Sequence, residues 1–198
     1  MAKRHPNEAD NDVRSRILKT ASSLFYKRGV RAVGIDLVIE EAGVAKASLY
    51  RHFESKDDLI VAFLEVADRN FWIAWDLVAE THASDPRAEL DAHLLWIGQR
   101  AGQPNYRGCA QINAMAEFPD LTHPARKIAK AHKLEMRRRL GVLAKRLGAE
   151  DPDGLAGKLA VLINGAFVSS QMFKSGEATG LLREAAEALL CASIPKPA

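Results

Sequence analysis

The chain has 198 residues, 47% hydrophobic and 27% charged, which is enough apolar material for a full core and too much for a disordered tail. No uncharged apolar run approaches the roughly 20 residues of a membrane span, and the opening MAKRHPNEADND carries charge with no apolar stretch behind it, so neither a transmembrane helix nor a signal peptide is expected. Only two cysteines, Cys109 and Cys191, exclude a disulfide framework and point to a cytoplasmic thiol state, while a net charge of +3 and a pI near 8.9 permit an anionic partner without demanding one.

Apolar residues Val13, Ile17, Leu18, Ala21, Leu24 and Phe25 recur at helical spacing from Asp12 to Arg28, with Gly29 as a left-handed stop. A short helix is expected from about Asp36 to Ala42, and a turn at Gly43-Val44-Ala45 leads to another from Lys46 to about Phe53. Ser55-Lys56-Asp57-Asp58 reads as a capping box opening a long helix to about Glu80. Further helices are expected at about 86–101, 107–117, 123–147, 152–174 and 178–192, punctuated by Asp85-Pro86, Pro104, Pro119, Pro124, Gly148 and Asp151-Pro152. No segment alternates with period 2 between hairpin turns, so the fold is expected to be all-α with about nine helices.

Residues 34–53, GIDLVIEEAGVAKASLYRHF, are the most informative stretch. Two short helices meet at a tight glycine turn, and Ile35, Val38, Ile39, Ala42, Val44, Leu49 and Phe53 form a small core. Leu49 and Phe53 share a face, leaving Lys46, Ala47, Ser48, Tyr50, Arg51 and His52 outward or sideways. Short residues at the start of the second helix allow its backbone close to base edges, and Tyr50, His52 and Lys56 are donors suited to phosphate oxygens. Taken alone, the same corner also fits an ordinary helical hairpin.

The string resembles the N-terminal domain of the TetR family of bacterial transcriptional regulators through Arg16-Ile17-Leu18, Ala21, Leu24-Phe25, Gly29, Ile35, Val38, Ala42-Gly43-Val44, Ser48-Leu49-Tyr50, His52-Phe53, Ser55-Lys56 and Leu59. The resemblance implies a three-helix DNA-binding domain over 11–71, with its helix-turn-helix at 34–53, and a ligand-binding and dimerisation domain over 72–195. It implies phosphate contacts from Tyr50, His52 and Lys56, with Lys46, Ala47 and Ser48 near the major-groove floor; Arg51 joins this DNA-contact set. Gly34 and Ala45 stand where the family commonly has capping hydroxyls, so backbone amides or water must supply those bonds. The run Arg107 to Phe118 is similar to a motif of the family's ligand-binding domains.

A two-turn reading helix covers few base pairs, so two copies about 34 Å apart on a palindromic operator are expected. Small residues Ala156, Ala160, Gly165, Ala166 and Ser169, with Leu181, Leu182, Ala185 and Leu189 beyond them, suit either a homodimer face or packing within one subunit. Phe71, Trp72, Trp75, His93, Trp96, Asn113, Phe167 and Met172 suit either plain core or a cavity for a small-molecule effector. Trp72, Trp75, Trp96, Asn113 and Glu117 are the candidate ligand residues, and Glu117, if it faced the cavity, would favour a cationic or hydrogen-bond-donating ligand.

An enzyme is the rival class. The six histidines form no HxxxH, no carboxylate or cysteine stands beside them at metal-ligand spacing, and no glycine-rich phosphate loop or GxSxG occurs. No catalytic residue, metal or cofactor is therefore expected. Cys109 is open between a buried structural thiol, a nucleophile near His93 and a redox sensor. Arg137-Arg138-Arg139 is open between a second nucleic-acid patch and a solvated helix face, the commoner state of a charge run on a long helix. A helical interaction protein with weak or lost DNA binding is the remaining alternative.

Overall fold

The structure, a computed structural model, describes residues 6–173 and 176–195. Nine α-helices and one 3-10 turn follow in order, with no strand among the described residues: α1 (Pro6–Arg28), α2 (Ile35–Ala42), α3 (Lys46–His52), α4 (Lys56–Thr81), α5 (Pro86–Ala101), α6 (Ala110–Glu117), α7 (Pro124–Arg146), α8 (Pro152–Ser169), the 3-10 turn Ser170–Met172, and α9 (Glu177–Ser193). The expected all-α class is what the chain adopts. No helix among the described residues is long and apolar enough to cross a membrane.

Several boundaries differ from the sequence expectation for local reasons. Helix α1 starts at Pro6, a residue suited to a first helical turn, and so gains a turn and a half ahead of Asp12. Helix α6 starts at Ala110, after Gly108-Cys109, rather than at Arg107. Helix α8 ends at Ser169, whose hydroxyl donates to the Gly165 carbonyl at 2.6 Å, and the chain tightens into the 3-10 turn; residue 174, the expected end, lies outside the described residues.

The caps follow the sequence closely. Asp85 accepts the amides of Arg87 and Ala88 at 2.9 and 3.0 Å, and Asp151 accepts that of Gly154 at 2.9 Å. At α7 the capping acceptor is His123, whose Nδ1 takes the Ala125 amide at 3.2 Å. Ser55 accepts the Asp58 amide at 3.1 Å and donates its hydroxyl to the Asp58 carboxylate at 2.8 Å, so Asp58 reaches back to the side chain.

Contacts divide the chain into two compact units, one comprising 1–68 with 110–129 and the other 69–109 with 130–198. The first unit is built on fully buried Ile17, Ala21, Val33, Val38, Leu49, Leu59 and Leu64, with Ala114 of α6 and Ala125 of α7 in the same cluster. Gln111 donates from Nε2 to the Leu64 carbonyl at 3.0 Å, fixing α6 against α4 within this unit. The second unit packs Leu90, Leu94 and Ile97 of α5, Met136 and Leu140 of α7, Leu155, Leu159 and Ile163 of α8, and Leu182 and Leu190 of α9.

Candidate nucleic-acid interface

The corner between α2 and α3 is set by Gly43, whose φ of 60° and ψ of 45° lie in the left-handed region that a side chain disfavours. Its amide bonds the Glu40 carbonyl at 3.1 Å and the Val44 amide bonds Ile39 at 3.2 Å, the paired bonds of a Schellman stop. Helix α3 is then anchored by Leu49, with no exposed surface, and by Phe53, over which the Arg14 guanidinium of α1 lies 5.0 Å from the ring centroid.

With Leu49 turned in, Lys46, Ala47, Tyr50 and Arg51 are exposed and Ser48 is half-buried. Tyr50 leaves 42% of its surface open. Lys56, half-buried at the start of α4, has its amine's proton affinity lowered by burial, against the pull of Asp57 and Glu117. His52 is half-buried: its side chain is only 8% exposed, and Nε2 lies 3.4 Å from Asp10 of α1. The same Asp10 oxygen accepts from Arg51 Nη2 at 2.7 Å, and Asp36 of α2 stands 3.6 Å from Lys46 Nζ. Neither Asp10 nor Asp36 was singled out in the sequence, because only the fold brings Asp10 beside residues 41 positions away.

Neither helix has a side-chain cap: Gly34 and Ala45 hold extended N-cap conformations without a capping hydrogen bond, as their lost hydroxyls imply. Ala45 still contributes its carbonyl, which accepts the Ser48 amide at 2.9 Å.

The candidate ligand residues fall into different parts of the chain. Trp72, Trp75 and Trp96 belong to the second unit, Asn113 and Glu117 to the first. Around Phe71, the rings of Trp72, Trp96 and His132 lie 4.8 to 5.1 Å away by centroid, and Trp75 stacks on His93 at 3.8 Å. Met172 is 81% exposed on the 3-10 turn and lines no core. Glu117 is committed elsewhere: Gly29, at φ 91°, turns the chain so that the amides of Val30 and Arg31 converge on its carboxylate at 3.1 and 2.7 Å. The cationic-ligand preference attached to it lapses.

Two other readings are corrected. Arg139 is not part of a solvated face; its guanidinium lies 4.3 Å over the Trp72 ring and pairs with Asp76 and Glu135. Arg138 and Arg139 hold the Glu135 carboxyl down to about 2. Cys109 is half-buried rather than fully buried, and Lys133 donates to its sulfur at 3.4 Å.

Residues 17–63 match the family described as bacterial regulatory proteins, tetR family. A TetR-family transcriptional regulator from Streptomyces coelicolor has the same fold with a TM-score of 0.89 and 31% identity, over 93% of this chain and 97% of that one. The transcriptional regulator TtgR of Pseudomonas putida is 37% identical over 123 residues, 62% of this chain and 49% of its own. The transcriptional repressor KstR2 of Rhodococcus jostii is 35% identical over 80 residues, 40% of this chain and 38% of its own. The chain thus spans half or less of the length of these two curated relatives.

Proposed function

The chain belongs to the TetR family of bacterial DNA-binding transcriptional regulators, and from that premise we propose that it binds a palindromic operator as a homodimer and represses transcription until a small-molecule effector releases it. The observation that carries this reading is the exposed row of Lys46, Ala47, Tyr50 and Arg51 on a helix whose opposite side is sealed by Leu49. Lys46, Ala47 and Ser48 approach the bases. Tyr50, Arg51, His52 and Lys56 hold phosphates, His52 and Arg51 exchanging Asp10 for the duplex. Residues 11–71 do the DNA work and 72–195 the dimerisation and effector binding. A cytoplasmic location follows from the partner.

Dimerisation uses α8 and α9. Between them runs an apolar groove of about 480 Å³ lined by Leu162, Gly165, Ala166, Phe173, Leu181 and Leu182, with Val161 74% exposed at its side. Small residues along such a groove let two identical helix pairs approach closely. The effector is held by the aromatic set Trp72, Trp75 and Trp96, where flat rings offer an apolar wall. The effector favours a state with the reading helices wrongly spaced, and a preference of about 2–3 kcal/mol lowers operator affinity by one to two orders of magnitude.

The test is selection from random duplexes with the purified protein, followed by titration at several salt concentrations. A palindrome should be enriched, and Lys56→Ala should weaken binding to all sequences while reducing the salt slope by about 1. Failure to distinguish any palindrome from random duplex at any ionic strength overturns the DNA reading. A monomer by sedimentation at micromolar concentration overturns the dimer.

A further inference from the structure

A cavity of about 310 Å³ lies within the second unit, between the end of α4, the start of α5 and the second half of α7. Three guanidinium groups line it, those of Arg138, Arg139 and Arg146, against the two carboxylates of Asp76 and Glu89. Its wall therefore carries one positive charge in excess. The rest of the wall is apolar, made by Trp75, Ala79, Val142 and Leu143.

Each arginine is held by a carboxylate and still keeps donors to spare. Glu135 accepts Nε and Nη2 of Arg138 at 2.7 and 2.8 Å, and also takes Nε of Arg139 at 2.7 Å. Arg139 gives Nη1 to Asp76 and lies 4.3 Å over the Trp72 ring. Arg146 gives Nη1 to the buried Glu89 and Nη2 to the Ala83 carbonyl at 2.7 Å. A guanidinium has five N–H donors, so Nη1 of Arg138, Nη2 of Arg139 and Nε of Arg146 remain uncommitted among the described residues. The apolar side is fixed as well: Trp75 is buried and lies flat on His93, the rings 3.8 Å apart and 23° from parallel. His93 itself has no exposed surface and no hydrogen-bond partner on either ring nitrogen, with Glu89 3.8 Å from Nε2. Buried imidazoles are ordinarily hydrogen-bonded, so packing alone does not account for this corner of the unit. Groups already held in place lose little freedom when a ligand arrives.

We propose that this cavity binds a planar aromatic carboxylate, its carboxylate on the spare guanidinium donors and its ring along Trp75. A guanidinium matches a carboxylate in plane and in donor spacing, and Asp76 and Glu89 are already neutralised by Arg139 and Arg146. A cationic ligand would meet three guanidinium groups, and a neutral one would cover their spare donors without satisfying them. The proposal rests on the reading of the tryptophans as the effector site. It adds the ligand's charge and the arginines that select it.

The full-length protein is titrated in a calorimeter with three probes of one shape: 2-naphthoate, the uncharged 2-naphthamide and the cationic 2-naphthylmethylamine. The naphthoate should bind at least about tenfold more tightly than either of the others. Its binding should also change the emission of the chain's three tryptophans, one of which lines the cavity. Arg138→Gln removes donors from a surface pair and should weaken the naphthoate by about fivefold or more while leaving the naphthamide unchanged. Val142 is 52% exposed, so Val142→Glu adds a negative charge to the wall without disturbing the core and should weaken the naphthoate by a similar factor. Circular dichroism checks that both variants fold. No saturable naphthoate binding at millimolar concentration, or unaltered affinity in both variants, overturns the proposal. Tighter binding of the amide or the amine overturns the carboxylate class and leaves the effector reading standing. Selective naphthoate binding that leaves operator affinity unchanged upholds the site and overturns the effector reading instead.

Discussion

The carboxylate of Glu117 accepts the backbone amide of Val30 at 3.1 Å across 87 positions of sequence, and its second oxygen accepts that of Arg31. The turn after α1 thus depends on a side chain at the end of α6. Glu117→Gln replaces one acceptor oxygen with a donor aimed at an amide. It should destabilise the first unit by about 1–3 kcal/mol, read as a lower midpoint in urea. An unchanged midpoint would mean that water replaces the carboxylate at no cost.

Asp10 occupies Arg51 and stands beside His52 on the proposed DNA face. Asp10→Asn removes this competitor. Exposed pairs of this kind contribute about 0.2–1 kcal/mol, so operator affinity at low salt should rise by up to about fivefold. Fluorescence anisotropy at 50 and 200 mM salt (about 14 and 7 Å of screening) checks both the gain and its attenuation by salt.

Helices α5 and α9 approach so closely that a side chain on Gly98 has no room: a Cβ there would lie 2.8 Å from the Thr179 Cα, a backbone atom that cannot rotate away. Gly98→Ala should cost about 1–3 kcal/mol by overpacking and lower the thermal midpoint. Thr179→Ser on top of it should rescue little, since the obstacle includes the backbone.

His93 has no exposed surface, and burial lowers its proton affinity from 6.5 to about 4, helped by the charges of His82 and Arg139. Glu89 stands 3.8 Å from Nε2, but its carboxylate already accepts from Arg146 and does not secure a proton on the ring. The unfolded chain therefore binds this proton more readily than the folded one. Stability is undiminished above about pH 6.5, falls as pH drops towards 4, and levels off below, by roughly 3 kcal/mol in all. His93→Phe should flatten that slope in unfolding curves taken from pH 7 to 4, whatever it does to absolute stability.

What was legible in the sequence was what neighbours in sequence decide. Gly43 and the four-residue spacing of Leu49 and Phe53 were enough for two short helices meeting at a tight turn, because turn chemistry and helical period act over a few residues; the helix-turn-helix itself came from the family resemblance. Asp85 and Asp151 announced their caps for the same reason. The inward turn of His52, the capture of Arg51 by Asp10 and the commitment of Glu117 to Val30 depend on contacts between distant segments, and no local pattern encodes them. The tryptophans were visible as a group, yet only packing shows Trp75 laid flat on His93 and Trp72 roofed by Arg139. The Cys109–Lys133 contact, 24 positions apart on separate elements, was beyond reach in the same way.

Gly34 and Ala45 leave the leading turns of α2 and α3 without a side-chain acceptor. Such ends unravel before the middle of a helix does, so deuterium should enter the amides of 35–37 and 46–47 sooner than those of α1 or α4. A duplex docking on the proposed face would meet two uncapped helix tips and stiffen them on arrival. Part of the ordering that other sequences complete during folding would then be deferred to the moment of recognition.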